Sequence, residues 1–267
     1  MINEVLLDVA KLRLTLGETL VLNDLSFQVK DRVREGTVTG QVVGLLGPSG
    51  VGKTRLLRII AGLDAPDAGK VRGQADAELP PGTVGYIFQD YPLLQHRTVR
   101  GNLELAGTIG GMTGEAAEKR AKELLETFSL SDRGGFYPAQ LSGGQRQRVA
   151  IAQQIMQPRK LLLMDEPFSG LDPAALASVM RLIVEVANMD ELNTIVVVTH
   201  DIRAAMAVSD MLHMLGRERE GGKIVPGAKV VRSYDMVDRG LCWKEDIQKL
   251  PEFAALETEI KERFAEL

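Results

Sequence analysis

One stretch of this chain decides its fold, and it reads Gly47-Pro48-Ser49-Gly50-Val51-Gly52-Lys53-Thr54. It matches the pattern G-x-x-x-x-G-K-[ST], in which glycines let backbone N–H groups curl around phosphate. An apolar run, residues 41–46, precedes the stretch, and a run with helical spacing, residues 55–63, follows it. Strand, loop and helix in this order are the context that a P-loop requires. We therefore expect residues 47–54 to bind the phosphates of a nucleotide.

The residue types within this loop assign the contacts. Lys53 is expected to supply a mobile point charge for the β- and γ-phosphates, and Thr54 to place its hydroxyl on Mg²⁺. In the helix that follows, the apolar side chains recur on one face, which predicts core positions rather than site positions. These side chains are Leu56, Ile59, Ile60 and Leu63.

Composition limits the remaining possibilities. The chain has 267 residues, of which 45% are hydrophobic, enough for one core with a subdomain. The formal net charge of −4 and the lack of a dense Lys/Arg block argue against nucleic acid as the main partner. The single cysteine, Cys242, excludes an intrachain disulfide and is typical of a reducing compartment. No apolar run approaches the length of a membrane span, and no signal-peptide layout is present, so we expect a cytoplasmic chain.

Strand patterns differ between the start and the middle of the chain. Residues 6–29 alternate, with Leu12, Leu14 and Leu16 on one side, which predicts half-buried antiparallel strands. Residues 160–164 and 194–198 are continuous apolar runs, as in parallel strands covered by helices on both faces. Because these runs alternate with helical patterns, the predicted class is α/β.

The chain divides into four segments by pattern. Residues 1–89 are expected to form the first part of an ATPase core, with an antiparallel β-subdomain, and residues 158–220 the second part. Between them, residues 90–157 are helical in pattern without a convincing strand, which predicts an inserted helical subdomain. Residues 221–267 are expected to form a hairpin, in which Gly221-Gly222 joins residues 211–215 to 224–225, and a helical tail. The stripe of that tail is Phe253, Leu256, Ile260 and Phe264.

Polar residues follow several of the predicted strands. Asp165 and Glu166 stand at the end of the apolar run that includes residues 161–164. Asp165 is suited to hold Mg²⁺ through water, and Glu166 to act as general base. His200 follows residues 194–198, and its ring could sense the γ-phosphate; the alternative is a surface histidine beside a helix start. Gln89 directly follows another apolar run, residues 84–88, and could contact both Mg²⁺ and the hydrolytic water. A glutamine at this position is uninformative by itself.

A second helix start has the features of a phosphate site. The stretch is Leu141-Ser142-Gly143-Gly144-Gln145, in which Ser142 is the expected N-cap of a helix over residues 145–156. The pattern does not decide whether this terminus faces its own P-loop or that of another subunit. Farther on, Asp172 is the expected N-cap of another helix, with Pro173 at its first position.

These pieces together resemble the nucleotide-binding subunit of an ATP-binding cassette (ABC) transporter, over roughly residues 5–220. The resemblance implies a P-loop NTPase core with a mostly parallel sheet, an N-terminal antiparallel β-subdomain and an inserted helical subdomain. It implies ATP and Mg²⁺ as cofactors, and a dimer that holds each ATP between the P-loop of one subunit and the signature stretch 141–145 of the other. It also places Asp172 in communication across the dimer, and Glu166, His200 and Gln89 in catalysis.

The finer resemblance is to bacterial importers. Phe168 follows Asp165-Glu166-Pro167 as in the importer form, and residues 94–99 resemble the nitrate, sulfonate and taurine branch. This implies a membrane permease and a periplasmic or lipid-anchored solute-binding protein as partners, a small anionic solute, and a place on the inner face of the membrane. An exporter or lipid-trafficking cassette is the alternative, followed by a soluble cassette acting on nucleic acid or the ribosome. For Tyr91, Leu93 and Leu94, subdomain packing and docking of the permease remain equally open.

Two departures from the family pattern are informative. Leu16 occupies the position where the family usually offers an aromatic ring to adenine, which predicts weaker or less base-selective nucleotide binding. The connection formed by residues 31–39 is several residues longer than is usual in the family. This length predicts an extended hairpin, to which no function is assigned.

Overall fold

The computed structural model describes residues 4–31, 40–80, 82–157, 159–189, 194–242 and 246–267. Most of the long connection, residues 32–39, lies outside these ranges. The strands are β1 (Val5–Leu16), β2 (Thr19–Lys30), β3 (Gln41–Leu46), β4 (Ala68–Gly73), β5 (Gly85–Ile87), β6 (Leu161–Asp165), β7 (Thr194–Thr199), β8 (Met211–Gly216), β9 (Arg219–Glu220), β10 (Lys223–Ile224) and β11 (Lys229–Asp235). The helices are α1 (Lys53–Ile60), α2 (Val99–Ile109), α3 (Gly114–Thr127), α4 (Gly143–Gln154), α5 (Pro173–Ala187), α6 (Ile202–Val208) and α7 (Pro251–Phe264).

The central sheet has six strands in the order β11-β8-β3-β7-β6-β5. Neighbours from β8 to β5 are parallel, and β11 runs antiparallel to β8. Strands β3, β6 and β7 are buried along their whole length, as continuous apolar runs predict. Because β3, β6 and β7 are parallel, their carboxyl ends lie at one edge of the sheet, where ligands of α/β proteins bind.

The N-terminal strands form a separate antiparallel sheet in the order β2-β1-β4. Leu12 and Leu14 are buried as predicted, but Leu16 is 42% exposed, so its expected place beside them is wrong. The pairing of β1 with β2 shifts register between Leu12 and Leu14 and again between Leu14 and Thr15. Strand side chains alternate between the two faces of a sheet, so a register shift changes which residues face the core. After these shifts, Leu16 no longer follows the alternation of Leu12 and Leu14.

Helix α1 ends earlier than the sequence pattern indicates. Ile60 is its last residue, and Gly62 adopts a left-handed conformation with φ of 70°. The chain therefore turns away before Leu63, which is 47% exposed and does not belong to the core as predicted. Leu56, Ile59 and Ile60 are buried, in agreement with the predicted stripe.

Helices α2, α3 and α4 lie within residues 90–157, all of which the structure describes, and that stretch contains no strand, as predicted. The apolar faces of these helices pack against side chains of the central sheet in one hydrophobic cluster. The helices contribute Leu103, Leu124 and Ile151, and strands β6 and β7 contribute Met164 and Val197. The helical part is thus packed directly against the strands that carry the predicted site residues.

The C-terminal region differs in part from the prediction. Gly221 and Gly222 connect the short strands β9 and β10, whereas the antiparallel partner of β8 is β11. Strands β9 and β10 pair with each other immediately beyond β8, so the open edge of β8 pairs with β11 instead. In α7, Phe253, Leu256 and Ile260 are buried and Phe264 is half-buried, which confirms the predicted stripe. No helix in the described ranges is long and apolar enough to cross a bilayer.

Candidate nucleotide site

The loop between β3 and α1 has a backbone that depends on its glycines. Gly50 and Gly52 have φ angles of 78° and 108°, which L side chains rarely adopt, and Gly52 is the N-cap of α1. A Cβ atom on Gly52 would lie 2.8 Å from Cγ1 of Val21. The N–H of Gly47 donates to the carbonyl of Thr199 at 3.3 Å, which ties the start of the loop to the end of β7.

Lys53 is the charged centre of this loop. Its side chain is only 5% exposed, and Nζ donates to the carbonyl oxygens of Gly47 at 2.8 Å and Pro48 at 3.1 Å. The same ammonium lies 3.3 Å from Oε1 of Glu166. A buried cation requires such acceptors, and phosphate oxygens can replace them.

Thr54 and Asp165 meet at the edge of the sheet. The Thr54 hydroxyl donates to Oδ1 of Asp165 at 3.1 Å, and the Tyr86 hydroxyl donates to Oδ2 at 3.2 Å. Burial raises the pKa of Asp165, while hydrogen bonds from Thr54 and Tyr86 and the charge of Lys53 act in the opposite direction. Burial, together with the adjacent Asp165 carboxylate, raises the pKa of Tyr86 above its usual range, so its hydroxyl remains a donor.

Tyr86 was missed by sequence reasoning, which treated residues 84–88 as an apolar strand. The sequence held no signal for it, because the contact depends on which residue of β6 lies opposite Tyr86. A residue paired two positions before Asp165 projects toward the same face of the sheet as Asp165. Tyr86 is paired with Leu163 and occupies that position.

Glu166 lies between two partners. One carboxylate oxygen contacts Lys53, as described, and Oε2 lies 2.9 Å from Nδ1 of His200 and 3.3 Å from the backbone N of His200. Glu166 has a left-handed backbone, with φ of 48°, and its N–H donates to the carbonyl of Val198. His200 is 50% exposed, so one side of this cluster faces solvent. The structure thus brings Asp165, Glu166 and His200 to the P-loop.

The donor set at this edge fits Mg²⁺. Thr54 and Asp165 offer hard oxygen ligands 3.1 Å apart, beside the loop expected to hold phosphate. Among the described residues, no group of three or more His, Cys, Asp or Glu side chains forms a protein metal cage. A magnesium site with few protein ligands, completed by waters and phosphate oxygens, is the usual arrangement in nucleotide-binding proteins.

Gln89 is not brought into this cluster. It is exposed, and within the described part of the chain its amide has no hydrogen bond to Thr54 or Asp165. It follows Phe88, whose ring packs against that of Tyr86 with centroids 4.4 Å apart. The expected role of Gln89 therefore stays a prediction.

The signature stretch 141–145 forms the start of α4, as expected. Ser142 is its exposed N-cap, and its Oγ accepts from the N–H of Gln145 at 3.3 Å. The Gln145 side chain accepts in return from the N–H of Ser142 at 2.9 Å, which completes a capping box. In the part of the chain that the structure describes, no hydrogen bond or ion pair joins Leu141, Ser142, Gly143, Gly144 or Gln145 to the loop 47–54.

Two side chains from the helical part reach the backbone beside Glu166. Gln147 donates to the carbonyl of Pro167 at 3.1 Å, and the Tyr91 hydroxyl donates to the same oxygen at 3.4 Å. Burial raises the pKa of Tyr91 to about 12. Tyr91 and the buried Leu93 are therefore packed inward, whereas Leu94 is exposed.

Asp172 is the N-cap of α5, as the sequence predicts. Its Oδ1 accepts from the N–H groups of Ala174 at 2.9 Å and Ala175 at 3.0 Å, and Pro173 occupies the first helical position. This satisfies two of the orphan donors at the helix start.

A glycine loop between a buried strand and a helix, with Lys53 and Thr54 facing Asp165 and Glu166, defines a P-loop NTPase. A sequence profile of the family described as ABC transporter matches residues 23–169. The chain belongs to the ABC transporter family and is an ATPase of that family.

Curated relatives are import ATP-binding proteins. A probable sulfate/thiosulfate import ATP-binding protein of Chlorella vulgaris is 41% identical over 75% of this chain and 84% of its own length. The sulfate/thiosulfate import ATP-binding protein of Synechococcus elongatus is 39% identical over 79% of this chain and 61% of its length. A methionine import ATP-binding protein of Corynebacterium jeikeium is 39% identical over 73% of this chain and 54% of its length. The match thus spans less than two thirds of the length of the Synechococcus and Corynebacterium relatives.

Solved structures share the fold. The structure of cbiO1 from Clostridium perfringens superposes with a TM-score of 0.73 at 23% identity, covering 89% of this chain and 91% of that one. A dimeric ATP-binding cassette in a post-hydrolysis state, bound to ADP and Pi, superposes with a TM-score of 0.67 at 29% identity, covering 86% of this chain and 98% of that one.

Proposed function

We propose that this chain is the ATP-binding subunit of an ABC importer, which hydrolyses ATP as a dimer to drive a partner membrane permease. The observation that carries the proposal is the convergence of Lys53, Thr54, Asp165, Glu166 and His200 at one sheet edge. These are the groups that phosphoryl transfer to water requires: a phosphate cradle, metal ligands and a water-orienting carboxylate.

Phosphate binding begins with an exchange of acceptors at Lys53. Its ammonium now donates to two loop carbonyls and contacts Glu166. The β- and γ-phosphate oxygens of ATP would replace these acceptors, while the N–H groups of residues 47–54 and the start of α1 stabilise the remaining charge. The exchange also releases one oxygen of Glu166 for its role in hydrolysis.

Glu166 acts as the general base. A water held by its carboxylate attacks the γ-phosphorus, the bond from phosphorus to the β–γ bridging oxygen breaks with its electron pair on that oxygen, and the water proton passes to Glu166. His200, already 2.9 Å from Glu166, would orient the carboxylate and sense the γ-phosphate. Gln89, which follows β5, would complete the water site.

The Thr54 hydroxyl and, through water, the Asp165 carboxylate would hold Mg²⁺, with Gln89 as a further ligand in the closed site. When bound, the metal neutralises charge on the β- and γ-phosphates. Thr54 can serve as a ligand while still donating its proton to Asp165, because a hydroxyl has one donor and two lone pairs.

Dimerisation supplies the second half of each site. Ser142 is exposed at the start of α4, and within the described ranges it has no bond to its own P-loop, so this helix start would receive the γ-phosphate held by a second copy or a paired cassette. Asp172, at the start of α5, would transmit closure between the two copies. The ADP- and Pi-bound cassette with the same fold is itself a dimer.

The permease would dock on the helical segment 90–157, where Leu94 is exposed. Support for import comes from the relatives, which are import ATP-binding proteins. A small anion as cargo agrees with the sulfate/thiosulfate relatives, and the nitrate, sulfonate and taurine branch rests on residues 94–99 alone. A solute-binding protein completes the proposed assembly, with this chain peripheral on the inner face of the membrane.

Affinity purification from the native host tests this function. Tagged Glu166→Gln chain, which would hold the ATP-bound dimer, is purified from detergent-solubilised membranes with Mg·ATP, and co-purifying proteins are identified by mass spectrometry. The expected result is one multi-spanning permease, and loss of uptake of a small anion when this chain is deleted. Recovery of ribosomal proteins or an exporter instead would reject the importer assignment.

A further inference from the structure

Strand β5 places one hydroxyl beside the carboxylate proposed to hold magnesium. Tyr86 is paired with Leu163 of β6, so its side chain lies on the same face of the sheet as Asp165, two residues farther along. The distance from the Tyr86 hydroxyl to Oδ2 of Asp165 is 3.2 Å. Both side chains are 6% exposed, so water does not compete freely for this bond.

The two oxygens of Asp165 receive one donor each. Thr54 donates to Oδ1 at 3.1 Å, and Tyr86 donates to Oδ2 at 3.2 Å. Two donors on different oxygens fix the rotation of the carboxyl group about its terminal bond. Each oxygen still has a lone pair available for a metal-bound water.

Packing fixes the position of the Tyr86 ring. The ring is buried in the cluster that contains Leu161 and Leu163, and it contacts the ring of Phe88 with centroids 4.4 Å apart and planes tilted by 46°. The hydroxyl is therefore held at Asp165 by apolar contacts that do not involve the hydroxyl. Phenylalanine would keep these contacts and remove only the donor.

We propose that Tyr86 is a positioning residue for magnesium, whose hydroxyl holds the Asp165 carboxylate in the orientation that receives the metal-bound water. The proposal rests on the proposed function, because it takes Asp165 as the carboxylate at the metal. Hydrogen bonds that orient ligands from outside the coordination shell tune metal affinity in other metal sites. Here the effect falls on the magnesium-dependent part of nucleotide binding and not on the phosphate cradle.

Tyr86→Phe tests this role by a binding measurement that needs no turnover. A fluorescent ATP analogue is titrated into the full chain in EDTA and then at increasing Mg²⁺. Loss of one hydrogen bond is expected to raise the Mg²⁺ concentration for half-maximal effect by about three- to tenfold. The dissociation constant in EDTA is expected to stay within about twofold of wild type, because Lys53 and the loop 47–54 are untouched.

Tyr234→Phe is the matched control. It removes a hydroxyl from a fully buried tyrosine in β11, in the cluster formed with α7, and is expected to leave the Mg²⁺ dependence unchanged. Asp165→Asn provides a second test, since in that background Tyr86→Phe should no longer shift the Mg²⁺ midpoint. If the phenylalanine variant is poorly soluble, Tyr86→Leu replaces it. This substitution also removes the hydroxyl and should shift the Mg²⁺ midpoint in the same direction.

An unchanged Mg²⁺ midpoint in Tyr86→Phe would overturn the positioning role. An equal loss of affinity in EDTA and in Mg²⁺ would do the same, because it would assign Tyr86 to packing alone. If wild-type chain bound the nucleotide with no dependence on Mg²⁺, the assignment of Thr54 and Asp165 would fail, and the proposed function would be the part in error.

Discussion

The two regions expected to bind phosphate, the P-loop edge of the sheet and the start of α4, differ in how complete they are within one chain. At the P-loop edge, the charged groups are buried and bonded to one another, with Lys53 between loop carbonyls and Glu166, and Asp165 between Thr54 and Tyr86. At the start of α4, Ser142 is exposed, and its hydrogen bonds among the described residues go to Gln145 and Arg146 of its own helix. One half-site is assembled by the fold, and the other is presented to solvent.

The difference separates binding from hydrolysis. Nucleotide binding should depend on the P-loop edge of a single chain, whereas turnover should also depend on the exposed helix start of a second copy. Substitutions at the P-loop edge and at the start of α4 should therefore give different patterns of affinity and rate.

Glu166→Gln should lower kcat by about a hundred- to ten-thousandfold, because the amide cannot accept the proton of the attacking water. Binding of Mg·ATP should persist, since the amide removes no positive charge from the loop. The measurements are single-turnover hydrolysis and nucleotide titration, with the exposed Glu185→Gln on α5 as control. A variant that remained strictly monomeric at saturating ATP would break the comparison, since the proposed sandwich should accumulate when hydrolysis is blocked.

Lys53→Ala should weaken ATP binding by about a hundredfold, because the phosphates lose charge-assisted hydrogen bonds from a buried ammonium. Calorimetry at low salt measures the change, and Lys119→Ala on the exposed face of α3 is the control. Hydrolysis at the wild-type rate in Lys53→Ala would show that residues 47–54 are not the phosphate cradle.

Ser142→Arg should leave the affinity of the monomer for ATP unchanged and lower the steady-state rate by about tenfold or more, since a long side chain would block the helix start from the partner's phosphate. Thr113→Arg is a matched control, because Thr113 is the exposed N-cap of α3 and accepts from Ala116. Equal rate losses in the two variants would indicate general damage to the helical segment instead of a specific role for the stretch 141–145.

Leu16→Tyr should strengthen ATP binding by about three- to tenfold, because base stacking on an aromatic ring contributes roughly 1 kcal/mol or more. The gain should be accompanied by slower release and by little change in the hydrolytic step. Leu63→Tyr, at another exposed leucine, is the control. A wild-type chain that already binds ATP at low micromolar affinity, with a tenfold preference over GTP, would contradict the predicted lack of base contact.

Much of the phosphate edge was predictable because its residues stand at the ends of recognisable strands. Parallel strands bring their carboxyl ends together, so the sequence predicts Asp165, Glu166 and His200 near residues 47–54. Tyr86 was not predicted, because its contact depends on the register between β5 and β6, which a strand pattern does not specify.

Errors occurred where the chain leaves a regular element. Leu63 follows the last turn of α1, and Leu16 follows register shifts at the end of β1, so helical or alternating periodicity no longer describes them. The turn at Gly221 and Gly222 was identified, but its strands were not, because pairing of short strands is decided by which edge remains open.

The sequence by itself determined the chemistry: a phosphate loop, an acidic strand end, a histidine at another strand end and a capped glycine helix start, since each depends on local spacing and backbone conformation. Only the tertiary structure decided which of these groups meet. Lys53 contacts Glu166, and Tyr86 contacts Asp165, because sheet order and burial bring distant residues within hydrogen-bond reach. In the described part of the chain, no hydrogen bond joins the start of α4 to the P-loop, because α4 packs onto the sheet by its apolar face and presents Ser142 to solvent.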